Sequence, residues 1–317
     1  MLPDLFYLMK RILILVLTMA TSFGAIACDY CNCYLGLNPG YNKNTIGFRY
    51  SYKISSLDIA SAALRVTHLD PASPAISTGG TLHETQSKAD LFARIYPISK
   101  LQVLATLPYA INKIDYNEKS ASGKAFDDLS VIAMYQIANT FPTDSLQVRH
   151  RLFGGIGVKF PTGKAKSSEY IDIPMADHLY SGTGSTDFLI AASYIGKYRH
   201  LGWNLDVNHK FNGESGSGYH HGNTTNVSSR VFYELDIKKV KLFPHISVVF
   251  EKGESDKDAD VKQPGTGGEV VSGGAGLDVY FGKFSLNTEY RQPLSHNLGQ
   301  FTPVDKYTVY SGLYFHF

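Results

Sequence analysis

Three cysteines near the start of the chain are the residues best suited to metal binding or redox chemistry. Cys28, Cys31 and Cys33 form a C-x-x-C-x-C motif, and the chain contains no other cysteine. Three thiolates at this spacing can bind a soft metal such as Cu(I) or Zn(II), and two of them can form a disulfide in an oxidising compartment. A third interpretation is lipidation of Cys28, although Ala25 stands where a lipobox usually has leucine.

Histidines in polar segments are weaker candidates for chemistry. His178 lies near Asp177 and Ser181, which makes it the best of several poor candidates for a catalytic group. The adjacent His220 and His221 lie in a glycine-rich segment and could capture a metal at a surface. The simpler explanation for all of them is an exposed loop histidine.

Known enzyme motifs do not fit the sequence. The segment 157–164 resembles a phosphate-binding loop, but its glycine is one place early, Pro161 interrupts it and Ala165 replaces the serine or threonine. Neither a G-x-S-x-G nor a H-E-x-x-H motif is present. An enzyme is therefore only the third hypothesis for function.

The charge balance argues against nucleic acid as a partner. The 317 residues include 30 Lys plus Arg against 28 Asp plus Glu, a net charge of +2, whereas nucleic-acid binders usually carry a clear basic excess. Charged residues make up only 18% of the chain, and 21 Tyr, 18 Phe and 29 Gly accompany one Trp. This composition favours β-structure over a typical soluble domain.

The first segment is typical of a secretory signal. Lys10 and Arg11 precede an apolar run at 12–20, and residues 25–27 read Ala-Ile-Ala, the form of a cleavage site. The run is shorter than the ~20 residues of a membrane-spanning helix. We therefore predict a signal peptide at 1–27, with Met9 as an alternative start, and a Cys-containing periplasmic leader at 28–44.

The rest of the chain, 45–317, alternates between apolar and polar residues with the period of two that indicates β-strands. In 46–54, for example, Ile, Phe, Tyr, Tyr and Ile alternate with Gly, Arg, Ser and Lys. The pattern predicts twelve strands, at 46–54, 89–95, 101–109, 129–135, 152–160, 188–194, 203–211, 231–237, 242–250, 275–281, 284–290 and 307–317.

Short and long connections take turns between these strands. Short turns at 98–100, 197–201, 238–239 and 282–283 alternate with long polar segments such as 212–228 and 252–272. Outer-membrane barrels combine an even number of strands, short periplasmic turns and long surface loops in this way. We therefore predict an all-β, antiparallel up-and-down barrel of about twelve strands in the outer membrane of a Gram-negative bacterium, with both termini periplasmic. A soluble β-sandwich is the alternative.

The last strand supports the same prediction. Phe317 shares a face with Phe315, Leu313, Val309 and Tyr307. This pattern resembles the terminal aromatic strand by which bacterial outer-membrane proteins are presented for insertion. We therefore expect outer-membrane lipid to be one partner of this chain.

The strand alternation also predicts which charged side chains face the barrel lumen. Seven basic and eight acidic residues share the inward face: Arg49, Lys53, Asp90, Arg94, Asp128, Lys159, Asp187, Asp206, Lys210, Arg230, Glu234, Asp236, Asp278, Glu289 and Arg291. Unpaired charges inside a membrane protein are costly, so we expect most of these to pair across the lumen. The result is either a narrow polar conduit or a salt-bridged plug.

Three stretches carry a family resemblance. The segments 126–131 (FDDLSV), 154–163 (GGIGVKFPTG) and 182–188 (GTGSTDF) resemble recurring strand motifs of a family of transporter-like outer-membrane barrels. That family takes its name from the meta-pathway of phenol degradation. The resemblance covers mainly the second half of the barrel and implies fold and location, but no substrate.

The function that these observations predict is a channel or transporter for a small solute, with a hydrophobic or aromatic compound and a metal both open as its identity. The alternative is a membrane-anchored binding module in which Cys28, Cys31 and Cys33 hold Cu(I) or Zn(II) or a redox site. No cofactor is certain, no catalytic residue is assigned, and the oligomeric state stays open.

Overall fold

The chain folds into a closed barrel of antiparallel strands. A computed structural model describes residues 42–59, 64–65, 75–76, 80–140, 148–163, 176–263, 265–299 and 302–317. The predicted signal peptide and most of the Cys-containing leader lie outside the described residues. The barrel strands are β1 (Thr45–Ile59), β2 (Gly80–Ile98), β3 (Leu101–Tyr116), β4 (Leu129–Asn139), β5 (Val148–Phe160), β6 (Asp187–Tyr198), β7 (Leu201–Phe211), β8 (Thr224–Tyr233), β9 (Val240–Gly253), β10 (Gly268–Phe281), β11 (Phe284–Leu298) and β12 (Val304–His316).

Each barrel strand pairs with its neighbours in the chain, and the first strand pairs with the last. Thr45 of β1 lies opposite His316 of β12, while β8 pairs with β9, so the sheet has no open edge. Closure satisfies the backbone hydrogen bonds of every wall strand, which is the requirement that a bilayer imposes on a spanning β-structure. The predicted twelve-stranded up-and-down barrel is confirmed.

The two faces of the wall have opposite chemistry. On β1, Ile46 and Phe48 are 48% and 53% exposed on the outer face, whereas Arg49 and Lys53 on the inner face are each only 7% exposed. Successive side chains of a strand point to opposite sides of the sheet. The period-two pattern of the sequence therefore becomes an apolar exterior around a polar interior.

The two rims of the barrel differ in the length of their connections. The short-turn rim holds tight turns at 99–100, 199–200 and 282–283, and both His316 and Thr45 lie at this rim. Gly282 adopts a left-handed backbone with φ of 61°, which glycine tolerates without steric cost. The long connections meet at the opposite end, called the long-loop rim here.

Several strands run further towards the long-loop rim than the sequence predicts. β2 begins at Gly80, β3 continues to Tyr116, and the strand Lys119–Phe126 folds back along β3 where a loop at 111–127 was expected. The outward positions of this extension include the charged Lys113 and Asp115. Because the outer face is no longer apolar there, the alternation that marks a membrane strand is lost.

The eighth strand was placed too far along the chain. The prediction was 231–237, but β8 spans Thr224–Tyr233, and Leu235–Ile237 instead pairs with the start of β9 in a turn hairpin. Apolar residues keep alternating through the break at Glu234, so the pattern could not locate it. The first half of β8 is polar on both faces and gives little signal.

Smaller elements decorate the long-loop rim. Leu64–Arg65 pairs with Ala75–Ile76, and a second small sheet joins Tyr219–His220, Lys257–Asp258 and Val261–Lys262. One turn of 3-10 helix covers Ala176–Leu179. Within the described ranges, no helix is long and apolar enough to cross a bilayer.

Candidate functional site: the barrel interior

Most of the charged residues predicted to face inward are buried. They come from eight of the twelve strands and, for Asp128 and Glu234, from the connections beside β4 and β8. The full set is Arg49, Lys53, Asp90, Arg94, Asp128, Lys159, Asp187, Asp206, Arg230, Glu234, Asp278 and Glu289. Lys210 and Arg291 are partly buried. The interior is therefore rich in ionisable groups of both signs.

Asp236 does not lie with the others. It sits in the turn hairpin between β8 and β9, where its carboxylate is half exposed and lies 3.0 Å from Lys241 Nζ. The prediction followed the alternation through the end of β8, which explains the error.

Glu234, at the same turn, is buried between Lys197 and Lys241. Burial opposes ionisation of its carboxyl, but hydrogen bonds from both lysines outweigh burial and hold the pKa of Glu234 below the ordinary value.

One ion pair crosses the interior. Arg230 Nη2 on β8 lies 2.7 Å from Glu289 Oε2 on β11, although β9 and β10 separate these strands in the wall. Glu289 also accepts a hydrogen bond from Ser247 Oγ at 2.7 Å and one from Arg291 Nη2 at 3.1 Å. Glu289 is therefore the centre of a network that draws on three strands, β8, β9 and β11.

Inward-facing glycines make room for this network. A Cβ at Gly276 would lie 2.5 Å from His245 Nε2 and 2.3 Å from the carbonyl oxygen of Thr288, which is closer than real contacts allow. His245 Nε2 in turn lies 3.6 Å from Glu289 Oε2. A side chain at position 276 would therefore push the histidine out of its place beside Glu289.

A small cavity lies beside the network. Its volume is about 30 Å³, room for about two water molecules. The side chains and backbone around it come from β1, β2, β10, β11 and β12, and include Arg49, Asp90, Asp278, Asn287, Glu289, Tyr310 and Tyr314. Charged groups of both signs thus line one small space.

Part of the interior is apolar. A buried cluster extends from β2 to β6 and reaches β12: Phe92, Leu104, Ile132, Met134, Phe153, Leu189, Ala191 and Tyr314. The sequence prediction considered only charged inward residues and missed this cluster. The signal was present, because Leu104, Ile132 and Leu189 occupy inward positions of the same alternation. The same strands also carry buried charges such as Arg94, Arg151 and Lys159, so the apolar cluster lies among charged groups.

The three motifs that carry the family resemblance meet at one buried charge cluster. Lys159 Nζ lies 2.6 Å from Asp128 Oδ2 and 2.8 Å from Asp187 Oδ2. These residues belong to β5, the start of β4 and the start of β6. Lys210 Nζ on β7 adds a longer contact of 3.9 Å to Asp187. The cluster lies where these strands meet the long-loop rim.

The same cluster holds two long connections in place. Asp128 accepts hydrogen bonds from the backbone N–H groups of Gly163 and Thr183 at 2.9 and 3.0 Å. Asp187 accepts one from Ser185 Oγ at 2.7 Å and one from the N–H of Gly213 at 3.1 Å. The described ends of the connection between β5 and β6 are therefore bonded to the rim.

His178 and Leu179 attach that connection to the other side of the rim. His178 Nδ1 lies 3.3 Å from Glu84 Oε2, and Asn112 Nδ2 donates to the His178 carbonyl at 3.1 Å. Leu179 is buried in a cluster with Leu57, Leu82, Ile114 and other residues of β1 to β3. The segment therefore spans part of the barrel mouth.

His178 forms a contact with a buried carboxylate. Its ring pairs with Glu84. The side chains on the outer face of β2 beside Glu84 are polar, so this part of β2 lies beyond the apolar band of the wall. Burial opposes ionisation of Glu84, but the charge and hydrogen bond of His178 outweigh burial and lower its pKa. Ser181 Oγ is buried and makes no hydrogen bond to the described residues. The contact between His178 and Glu84 therefore helps to anchor the connection between β5 and β6 to the rim.

The remaining candidates form no metal centre within the described part of the chain. His221 Nδ1 lies 3.8 Å from Asp256 Oδ2, while Tyr219 Oη donates to the same oxygen at 2.6 Å. No group of three or more His, Cys, Asp or Glu side chains there is placed to hold a metal. Cys28, Cys31 and Cys33 lie outside the described residues, so their metal site stays a prediction.

The fold recurs among solved outer-membrane barrels. An outer-membrane channel from Pseudomonas putida F1 matches with a TM-score of 0.61 at 13% identity, over 89% of this chain and all of that one. The transport unit of the autotransporter AIDA-I from Escherichia coli matches with a TM-score of 0.47 at 11% identity, over 90% and 95% of the chains. The β domain of the Bordetella autotransporter BrkA gives 0.45 at 10% identity, over 87% and 100%.

Comparison of the sequence with known proteins assigns the chain to no family. No protein-family model matches the chain, and no curated protein matches it. The resemblance to the meta-pathway barrels therefore stays a prediction. At 13% identity, the match to the Pseudomonas putida channel establishes a shared outer-membrane β-barrel fold.

Proposed function

We propose that the protein is an outer-membrane barrel that conducts a small polar solute through its interior. The observation that carries the proposal is the ion pair between Arg230 and Glu289, which links non-adjacent strands inside the barrel beside a small cavity lined by polar groups. A barrel that served only as an anchor would have no need of a network of charged groups at its centre, because an apolar filling of similar volume is as stable or more so.

The exterior supports the outer-membrane location. Large apolar side chains cover the outer face, and aromatic residues such as Tyr50, Tyr198, Trp203 and Tyr290 are 42–47% exposed on it. Aromatic girdles of this kind mark the interfaces of transmembrane barrels. The predicted signal at 1–27 and the fold shared with an outer-membrane channel agree with this location. The short-turn rim would then face the periplasm.

The passage beside the charged network is narrow. The cavity there has room for about two water molecules, and a buried apolar cluster occupies another part of the interior. A solute can pass only if side chains move. The pair of Arg230 and Glu289 is the first obstacle to test, because it links two strands of the wall across the inner face of the two strands between them.

Single-channel recording tests the proposal. The purified full chain, first shown to be folded by heat-modifiable migration on detergent gels, is inserted into a planar bilayer. We expect the double variant R230Q/E289Q to conduct more than the wild type, because the lateral ion pair is gone while the net charge is unchanged. The matched control is K113Q/D115N, which removes an exposed pair at 2.7 Å on the long-loop extension. Silence of both wild type and R230Q/E289Q in folded protein would reject the conduit.

A further inference from the structure

Buried hydrogen-bond donors gather at the short-turn end of the interior. Arg151 on β5 is 2% exposed, Gln136 on β4 is 5% exposed and Gln102 on β3 is 6% exposed. Asn42 and Tyr96 link them: Arg151 Nη2 donates to Asn42 Oδ1, and Tyr96 Oη donates to Gln102 Oε1 at 3.0 Å. These five residues are called the donor ring below.

The hydrogen bonds fix the orientation of the Gln136 amide. Because a guanidinium can only donate, the Asn42 atom that faces Arg151 is the oxygen, and Asn42 Nδ2 is the atom that donates to the Ser99 carbonyl at 2.8 Å. Asn42 Nδ2 also faces the Gln136 side chain at 3.5 Å, so the facing atom must be Gln136 Oε1. Gln136 Nε2 is then left as a buried donor with no hydrogen-bond partner among the described residues.

Gln102 has a similar surplus donor. Its Oε1 is used by Tyr96, and its Nε2 points at Met134 Sδ at 3.6 Å, a thioether that accepts hydrogen bonds only weakly. Two buried amide donors therefore face sites without a strong acceptor, next to a guanidinium. An unsatisfied buried donor costs free energy, so this arrangement fits a ligand that supplies acceptor oxygens.

Positive charge is concentrated at the same end. Arg94 and Arg149 lie close enough to Arg151 to repel it electrostatically. The short-turn rim as a whole carries Lys43, Arg94, Lys100, Arg149, Arg151, Lys197, Arg199, Lys238, Lys239, Lys241 and Lys283. Glu234 and Asp236 are acidic residues at the turns of this rim, and Asp206 and Asp278 lie deeper, on strands that adjoin the turns at 199–200 and 282–283. Since the whole chain has a net charge of only +2, the basic excess is local.

We propose that the donor ring, centred on Arg151, Gln136 and Gln102, binds the oxyanion group of a small acid, a carboxylate or a phosphate. Guanidinium and amide donors together are the usual partners of such groups, and a basic rim raises the local concentration of anions. The oxygen atoms of the anion would accept from Gln136 Nε2 and Gln102 Nε2. Assigning this anion as the solute of the conduit rests on the proposed function, whereas anion binding itself does not.

Calorimetric titration with inorganic phosphate tests the site. The full chain in a non-ionic detergent is compared with Q136E, in which a carboxylate replaces the surplus donor and takes the place of the anion beside Arg151. We expect wild-type protein to bind phosphate and Q136E to bind at least about tenfold more weakly, a difference of about 1.4 kcal/mol. Q263E adds the same charge on a long loop and should bind as the wild type does. Q136L, which removes the side-chain amide without adding a charge, serves if Q136E does not fold.

The outcomes separate this inference from the proposed function. Absence of phosphate binding by the folded wild type, or binding by Q136E and Q136L as tight as that of the wild type, would overturn the site even if the protein conducts. Phosphate binding that Q136E abolishes in a protein that never conducts would support the site and reject the conduit. Short-chain phosphatidylglycerol, titrated separately, distinguishes a lipid headgroup from a free anion: binding of the lipid alone would overturn the assignment to a small acid.

Discussion

Arg230 Nη2 and Glu289 Oε2 lie 2.7 Å apart even though two barrel strands separate their own strands in the wall. The contact therefore connects parts of the wall that share no backbone hydrogen bonds with each other. Arg230 is 2% exposed and Glu289 is 4% exposed, so water screens this pair little. The contact therefore helps to hold the wall together and is also part of the candidate functional site.

Removing one partner of this pair should destabilise the barrel strongly. Arg230→Gln leaves Glu289 buried without its closest cation, which typically costs about 3–5 kcal/mol. The double variant R230Q/E289Q should lose less than the sum of the single variants because no uncompensated charge remains. Urea unfolding in detergent, followed by the fluorescence of Trp203, measures both. K113Q, in the exposed pair with Asp115, should change stability by less than about 1 kcal/mol; an equal effect of R230Q and K113Q would contradict the prediction.

Lys159 should hold the connection between β5 and β6 to the rim. Lys159→Met leaves Asp128 and Asp187 buried without their closest cation, so we expect unfolding to become easier by about 3 kcal/mol. Backbone amides at 162–163 and 181–186 should also exchange hydrogen faster, because the N–H groups of Gly163 and Thr183 donate to Asp128. Hydrogen-exchange mass spectrometry measures the local effect.

The exposed Lys124 provides the control for Lys159. K124M removes the same charge from the outer strand Lys119–Phe126 and should leave exchange at 162–163 unchanged. The triple variant D128N/K159M/D187N should recover part of the lost stability. If K159M alone leaves exchange at both segments unchanged, the cluster does not anchor the connection.

Acid should loosen the segment around His178. The pKa of Glu84 in the fold lies below its ordinary value of 4.5, so the folded state favours the ionised carboxylate. This contribution to stability is complete above the unfolded pKa and is lost as the pH falls through the lowered pKa. Lys53, Gln86 and His178 are the groups that face Glu84, and each interacts favourably with its ionised form.

Hydrogen exchange at 178–183 tests this pH dependence. Glu84→Gln should exchange faster than the wild type at pH 6, and the difference should vanish at a pH below the lowered pKa. Comparing the two proteins at each pH removes the intrinsic pH dependence of exchange. D58N, on the exposed outer face of the same rim, should behave as the wild type does. A difference that persists unchanged into strong acid would count against the ion pair.

A methyl group at Gly276 should disturb the centre of the interior. Gly276→Ala places a Cβ 2.3 Å from the Thr288 carbonyl oxygen and 2.5 Å from His245 Nε2, and overpacking of this kind typically costs about 1–3 kcal/mol. The matched control is G216A, because nothing lies within 4 Å of a Cβ at Gly216. Urea unfolding measures the stability of both variants. Equal free energies of unfolding would show that His245 and its surroundings can move aside without cost.

The sequence predicted the wall better than the ends of its strands. The bilayer requires apolar residues on the outer face, and the interior accepts polar residues on the inner face. This alternation marks the twelve strands in the sequence alone. The extension of β3 to Tyr116 was missed because solvent replaces lipid there and polar side chains appear on both faces. The end of β8 was misplaced because the alternation continues into the hairpin Leu235–Ile237.

The interior was predicted residue by residue but not as a network. The alternation places Arg230 and Glu289 on the inward face, yet it cannot show that they meet, because this depends on the curvature and closure of the sheet. The same holds for Asp128, Lys159 and Asp187, which lie in three separate motifs. The predicted lumen-lining role of these residues and the metal site at Cys28, Cys31 and Cys33 stay predictions.

The pairing of Thr45 with His316 also bears on how the barrel forms. These two residues are 271 positions apart in the chain, so the contact between them is among the most non-local that the fold contains. Non-local contacts slow folding because chain entropy must be lost before they form. β1 cannot complete its hydrogen bonds until β12 has formed. We therefore expect the barrel to close cooperatively, in a late step of folding. A chain shortened by its final strand would leave β1 and β11 as two open edges, ready to pair with other molecules.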